Sequence, residues 1–141
     1  MPRGYEFFEH TADVGALVRG TTLPRLFQNA SFALFDLIGD RRTVRPRRRL
    51  RVTVQGSSLE DVLVRWLAEL LYLNQTGGWA FSSCRVERVD AKRFRARGLV
   101  TGEPIDRSRH LPQREVKAIT YHQIEVVRGR SAWRVRLVFD V

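Results

Sequence analysis

The segment Glu9-His10-Thr11-Ala12-Asp13-Val14-Gly15 sets two carboxylates, a hydroxyl and an imidazole where an apolar opening run gives way to glycine. Read as one continuous strand, it alternates its side chains between two faces, which puts Glu9, Thr11 and Asp13 on one side and His10 and Ala12 on the other. The far end of the sequence offers a counterpart, because it closes on Phe139-Asp140-Val141 with Asp140 one residue from the terminal carboxylate. If the two ends meet, oxygen ligands dominate the junction. Carboxylates held close together raise one another's pKa or repel, and a hard cation relieves both effects. Calcium, magnesium and manganese take carboxylate, carbonyl and water oxygens, whereas zinc needs more nitrogen or sulfur than His10 alone supplies. The same residues admit a plainer reading, in which Asp13 closes a turn on a backbone amide ahead of Val14-Gly15 and Glu9 is a solvated strand residue.

The elements that would position these groups follow from periodicity. An opening strand covers Tyr5 to His10, residues 9 to 15 bend, and Gly15 to Arg19 resumes extended structure. A helix follows, with Thr22 as N-cap, Pro24 in the first turn, and Leu23, Leu26, Phe27, Ala30, Ala33, Leu34, Leu37 and Ile38 at helical spacing until Gly39. Leu50, Val52 and Val54 alternate with Arg51, Thr53 and Gln55 as a half-buried strand. Ser58 and Asp61 form a capping box ahead of a second apolar helix that ends near Asn74 to Gly78. Residues 79–89 and 93–101 read as a hairpin turning at Asp90-Ala91-Lys92, and the polar stretch from Gly102 to Glu115, with Pro104 and Pro112, as a loop. A last antiparallel pair spans Val116 to Val127 and Ala132 to Val141. In it Trp133, Val135, Leu137 and Phe139 share one face, while Arg134, Arg136, Val138 and Asp140 take the other, so Asp140 points toward a surface or cleft. The alternation also puts Lys117 and His122 on different faces of their strand, and His122 reads as a hydrogen-bonded structural histidine. The pattern predicts one α+β domain over residues 1–141. It is a two-layer arrangement with two helices packed on mostly antiparallel sheet, in the order β-α-β-α-β-β-β-β.

Composition narrows the function. A chain of 141 residues buries an ordinary core without staples, and its lone cysteine, Cys84, has no internal disulfide partner. With no apolar segment long enough for a signal peptide or a span, a reducing cytoplasm and no membrane are expected. There is no Gly-rich phosphate loop, H-E-x-x-H, paired-cysteine zinc spacing or G-x-S-x-G elbow. The net charge is +10, from 25 basic and 15 acidic residues, and Lys92 and Lys117 are the only lysines. A genomic preference for arginine predicts scattered charge. Arg41, Arg42, Arg45, Arg47, Arg48, Arg49 and Arg51 fall instead in one short stretch, which reads either as a solvated connector leading into a strand or as a docking surface for RNA or an acidic partner.

Three stretches together carry a family resemblance: Tyr5-Glu6-Phe7-Phe8-Glu9-His10-Thr11-Ala12-Asp13-Val14-Gly15, Glu115-Val116-Lys117-Ala118-Ile119-Thr120-Tyr121-His122, and Leu137-Val138-Phe139-Asp140-Val141. In order and spacing the chain resembles the archease family, small proteins that assist the GTP-dependent tRNA-splicing RNA ligase, over essentially its whole length. The resemblance implies a non-catalytic accessory factor that promotes guanylylation of the ligase and its multiple turnover. It implies a metal site at Asp13, Asp140 and Val141, the last through its backbone oxygen, with calcium as the first expectation and magnesium or manganese as alternatives. It also makes Lys117 a contact to the ligase or a nucleotide, with Glu9, His10 and His122 as further candidate contacts. Two other classes stand beside this one: a small RNA-binding or chaperone module acting through the arginines of residues 41–51, and a metal-dependent hydrolase or nuclease acting through the carboxylates.

Overall fold

The computed structural model describes residues 3–10 and 13–141, and of His10 the backbone alone. Strands β1 (Tyr5–His10) and β2 (Asp13–Gly20) form an antiparallel hairpin. On its other side β2 pairs with β8 (Trp133–Asp140), whose free edge is shared by two short strands, β6 (Ala118–Ile119) and β7 (Val126–Arg128). A second sheet has β5 (Arg95–Pro104) between β3 (Arg48–Gln55) and β4 (Trp79–Asp90), again all antiparallel. Helices α1 (Leu23–Ile38) and α2 (Leu59–Gln75) each touch strands of both sheets and each other. This is the antiparallel α+β class with two helices that the periodicity predicts. The element order is β-β-α-β-α-β-β-β-β-β rather than the shorter string expected.

Both helices start where the capping residues say they should. The Thr22 hydroxyl accepts from the Arg25 amide at 3.2 Å with Pro24 in the first turn, and the Ser58 hydroxyl accepts from the Asp61 amide at 3.1 Å. The return bond of the second cap lands one residue early, on the Ser57 amide, which donates to Asp61 Oδ2 at 2.8 Å. The apolar stripes of α1 and α2 then meet the inner faces of the sheets in one core, whose largest fully buried side chains include Trp66, Phe27, Phe35 and Phe139. Trp66 keeps its indole N–H satisfied by donating to the buried Ser31 hydroxyl at 2.8 Å, which in turn donates to the Phe27 carbonyl at 2.8 Å. Cys84 is part of this core, and burial pushes its thiol up to about 12, so it is unreactive at neutral pH.

Two departures from what the sequence predicts have physical causes. The chain from Val116 to Val127 is not one strand: it pairs with β8 only at its two ends, and Gln123 in between adopts φ +50°. The first turn of α2 takes over this middle segment. Glu60 Oε2 accepts from the Val126 amide at 2.8 Å and Asp61 Oδ1 accepts from the Tyr121 hydroxyl at 2.7 Å. Val138, on the solvent side of β8, is nevertheless buried. It lies in register with Gly15, over which the Phe8 ring is laid so closely that a Cβ on Gly15 would stand 2.0 Å from it.

In the second sheet, β4 carries irregularities between Phe81 and Ser83 and between Val86 and Arg88, and β5 offers Gly102 and Gly98 near them. A Cβ on Gly102 would stand 1.9 Å from the Ala80 carbonyl oxygen, a backbone atom that cannot swing away. Gly102→Ala is therefore expected to destabilise by about 1–3 kcal/mol, lowering the thermal midpoint by roughly 3–10 °C. Gly39→Ala, where nothing lies within 4 Å and the backbone is extended, should leave it nearly unchanged. Equal midpoints for the two variants in thermal melts would contradict the close approach.

Candidate carboxylate site where β2 meets β8

The β2–β8 ladder sets Asp13 directly opposite Asp140, and β6 sets Ala118 opposite Asp140 on the other side. Directly opposed residues in an antiparallel pair share a face, with Cβ atoms roughly 4.5–5.5 Å apart. Two acids from opposite ends of the sequence thus stand side by side, both half-buried, with Val141 half-buried next to Asp140. The backbone is anchored at this point, because the Lys117 amide donates to the Asp140 carbonyl at 2.7 Å. Among the described residues no group of three or more His, Cys, Asp or Glu side chains gathers. An ion held here would therefore complete its shell with backbone or water oxygens, a donor set that suits a hard cation and not zinc.

The face drawn from the sequence needs one correction. β1 and β2 are two strands of a hairpin, in which His10 is the register partner of Asp13 and Glu9 that of Val14. Reversal of the chain between them resets the alternation, so Glu9 lies on the Val14 side of the sheet and not with Asp13. Thr11 falls outside the described residues, as does the side chain of His10. The Lys117 side chain is exposed beside the Asp140 backbone. His122 is also exposed and lies where the chain leaves β8 after Thr120, its amide donating to the Thr120 hydroxyl at 3.2 Å. The structure adds a feature that the sequence reading misses: the Arg136 guanidinium caps the Phe8 ring at 4.6 Å on the same outer face. The glycine inside a strand, Gly15, is the signal that could have revealed it.

The arginine-rich stretch divides between two environments. Arg41 binds Asp36 at 2.8 Å and lies 4.4 Å over the Phe32 ring, and Asp36 also accepts from the Tyr5 hydroxyl. Burial, reinforced by that carboxylate, pushes the Tyr5 phenol up to about 12. Asp40 accepts from both the Arg42 amide and its guanidinium at 3.0 Å. The Arg45 amide donates at 2.7 Å to Glu103, whose side chain is buried and also receives Arg109 through two bonds of 3.0 Å. His110 Nε2 lies 3.0 Å from the same carboxylate while Nδ1 accepts from the Asp106 amide at 2.9 Å. That acceptor role assigns the proton to Nε2, which donates to Glu103. The loop expected after β5 is thereby pinned, with the His110 side chain packed inside it. Arg49 and Arg51, by contrast, lie on β3 itself and are exposed.

The molecule is thus a small antiparallel α+β protein in which a strand from the start and the strand from the end of the sequence join across two aspartates. The model of the archease protein family matches residues 5–141. Protein archease of Pyrococcus furiosus is 40% identical over 144 residues, covering 99% of each chain. That of Methanosarcina acetivorans is 34% identical over 139 residues, covering 97% of this chain and 95% of its own. The solution structure of Methanobacterium thermoautotrophicum protein 1598 superposes with a TM-score of 0.82 at 29% identity, covering 99% of both chains. The chain belongs to the archease family. Among the described residues no helix is long and apolar enough to cross a membrane.

The Glu103 cluster yields a pH dependence. Arg109 first, then the Arg45 amide, hold the Glu103 carboxyl down from 4.5 to about 2. A carboxyl whose folded value is depressed contributes stability that is full above its unfolded value and is lost as pH falls through the folded one. Urea midpoints of the wild type should therefore fall between pH 4.5 and about 2. Glu103→Gln should be less stable at pH 7 and flatter across that window, and parallel pH curves for the two proteins would exclude this role.

Proposed function

We propose that this protein is a non-catalytic accessory factor of the GTP-dependent tRNA-splicing RNA ligase, promoting guanylylation of the ligase and its repeated turnover. Membership of the archease family supports this reading. The observation that carries it to particular residues is the register that puts Asp13 opposite Asp140. Asp13 and Asp140 through their carboxylates, and Val141 through its backbone oxygen, would hold a hard divalent cation, calcium first and magnesium or manganese as substitutes. Such a cation, when bound, supplies positive charge that attracts acidic groups or phosphate.

The protein's own residues do the positioning. The β2–β8 ladder fixes both carboxylates on one face, and the Lys117 amide secures the Asp140 backbone from the other edge. The Lys117 ammonium, exposed beside it, is suited to contact a carboxylate of the ligase or a nucleotide phosphate, with His10 and His122 as further contacts and Glu9 on the opposite side of the hairpin. The protein would act in the cytoplasm, where its buried lone thiol needs no partner.

The test removes one acid from the pair. Asp13→Ala should keep the wild-type circular dichroism but lose the stimulation of multiple turnover when added to the ligase with GTP and manganese, by at least about tenfold. Without the ligase, calcium at about a hundred times its Kd should stabilise the wild type by about 2.7 kcal/mol and leave the variant unmoved. Full stimulation by a folded Asp13→Ala protein would overturn the proposal.

A further inference from the structure

The outer face of the three-stranded sheet is a field of arginine. Arg49 and Arg51 on β3, Arg85 and Arg88 on β4, and Arg95 and Arg97 on β5 are all exposed. Register brings them together: Arg51 and Arg85 both stand opposite Leu99, and Arg88 stands opposite Arg97. Two carboxylates share the face, and each already has a partner, Glu87 with Arg51 at 2.7 Å and Asp90 with Arg88 at 3.8 Å. Asp90 also stands opposite Arg95 in the ladder, but among the described residues no carboxylate forms an ion pair with Arg49, Arg85, Arg95 or Arg97. Like charges directly opposed across a ladder destabilise it. A face that keeps them is complementary to a polyanion.

We infer that this face binds the phosphate backbone of double-stranded RNA, at a surface on a different sheet from the carboxylate pair and separate from the proposed contact to the ligase. Three features select the ligand. No exposed aromatic lies on the face, so it lacks the platform on which unpaired bases stack. Neighbouring strands lie about 4.8 Å apart and successive outward residues about 6.8 Å apart, which spreads the guanidinium groups as a broad array with no protruding element. Such an array cannot enter the major groove of B-form DNA, which admits a helix or a two-stranded ribbon. It can lie across the wide, shallow minor groove of A-form RNA, where 2′-hydroxyls and flanking phosphates are displayed. Thr53, Ser83 and Thr101 stand among the arginines on the same face, Thr53 opposite Arg97 and Ser83 opposite Thr101, and their hydroxyls can hydrogen-bond to 2′-hydroxyls. Binding of this kind is independent of sequence and steeply dependent on salt.

The experiment uses the full chain without any ligase, so its outcome is separate from that of the accessory-factor reading. Fluorescence anisotropy measures binding of a labelled RNA duplex of about 20 base pairs, with a DNA duplex of the same sequence as a second probe. The wild type should bind RNA in the micromolar range at about 100 mM salt. A variant carrying Arg85→Glu, Arg95→Glu and Arg97→Glu should lose at least about 30-fold, and its log–log salt slope should be shallower by about one for each phosphate contact removed. A control with Arg42→Glu, Arg107→Glu and Arg114→Glu, exposed positions off this sheet face, changes the net charge equally and should lose less than about threefold. If the glutamates prevent folding, glutamine at the same three positions serves, with a smaller loss in the same direction. Equal losses in the two variants, equal affinity for the DNA duplex, or no RNA binding at about 50 mM salt would each overturn the inference.

Discussion

The pairing of β2 with β8 is the constraint on which the rest of the structure depends. Its ladder runs from Asp13 opposite Asp140 to Gly20 opposite Trp133, and its register is set by what it buries. Val14, Ala16 and Val18 stand opposite Phe139, Leu137 and Val135, all in the core. A slip of one residue would bring Leu17, Arg19, Arg134 and Arg136 inward instead. Burial of each large apolar side chain is worth about 1.5–3 kcal/mol, whereas a like-charged pair directly opposed on a strand costs on the order of 1 kcal/mol or less. Packing wins by a wide margin. The two aspartates are therefore neighbours because the core requires it, and the fold can hold them together whether or not anything neutralises them.

The same arithmetic explains which parts of the molecule could be read from the chain. Both helices were legible because an N-cap, an early proline or capping pair and an apolar stripe all agree at Thr22 and at Ser58, so local preference and tertiary packing point the same way. The alternation of β8 was equally clear, and it correctly set Asp140 apart from the Phe139 side. What failed was parity across a reversal. Glu9 and Asp13 are an even number of positions apart, and only knowledge that the chain doubles back between His10 and Asp13 shows that they belong to opposite faces. The segment 116–127 failed for a different reason. Its residues are good strand formers, yet Glu60 and Asp61 at the start of α2 supply competing partners for Val126 and Tyr121, and no local pattern announces a contact some sixty residues away.

The arginines carry this lesson into function. A run of basic residues in sequence does not make a basic surface, because each must be placed by the element that bears it. Arg41 and the backbone of Arg45 serve carboxylates that the fold has buried or half-buried, Asp36 and Glu103, and are consumed in holding the connector and the following loop. Arg49 and Arg51 owe their exposure to the same period of two that half-buries Leu50 between them and buries Val52 after them. Residues 85, 88, 95 and 97, far from that run, reach the same face through the pairing of β3 and β4 with β5.

The two charged features are also kept apart by the architecture. The carboxylate pair lies on the solvent side of the five-stranded sheet and the arginine array on the solvent side of the three-stranded sheet, while the inner faces of both pack on one core. Among the described residues no ion pair joins Asp13 or Asp140 to the arginines of the other sheet. Each retains its own electrostatic character. A single chain of this size can in that way carry a pair of opposed acids on one sheet and an array of arginines on the other.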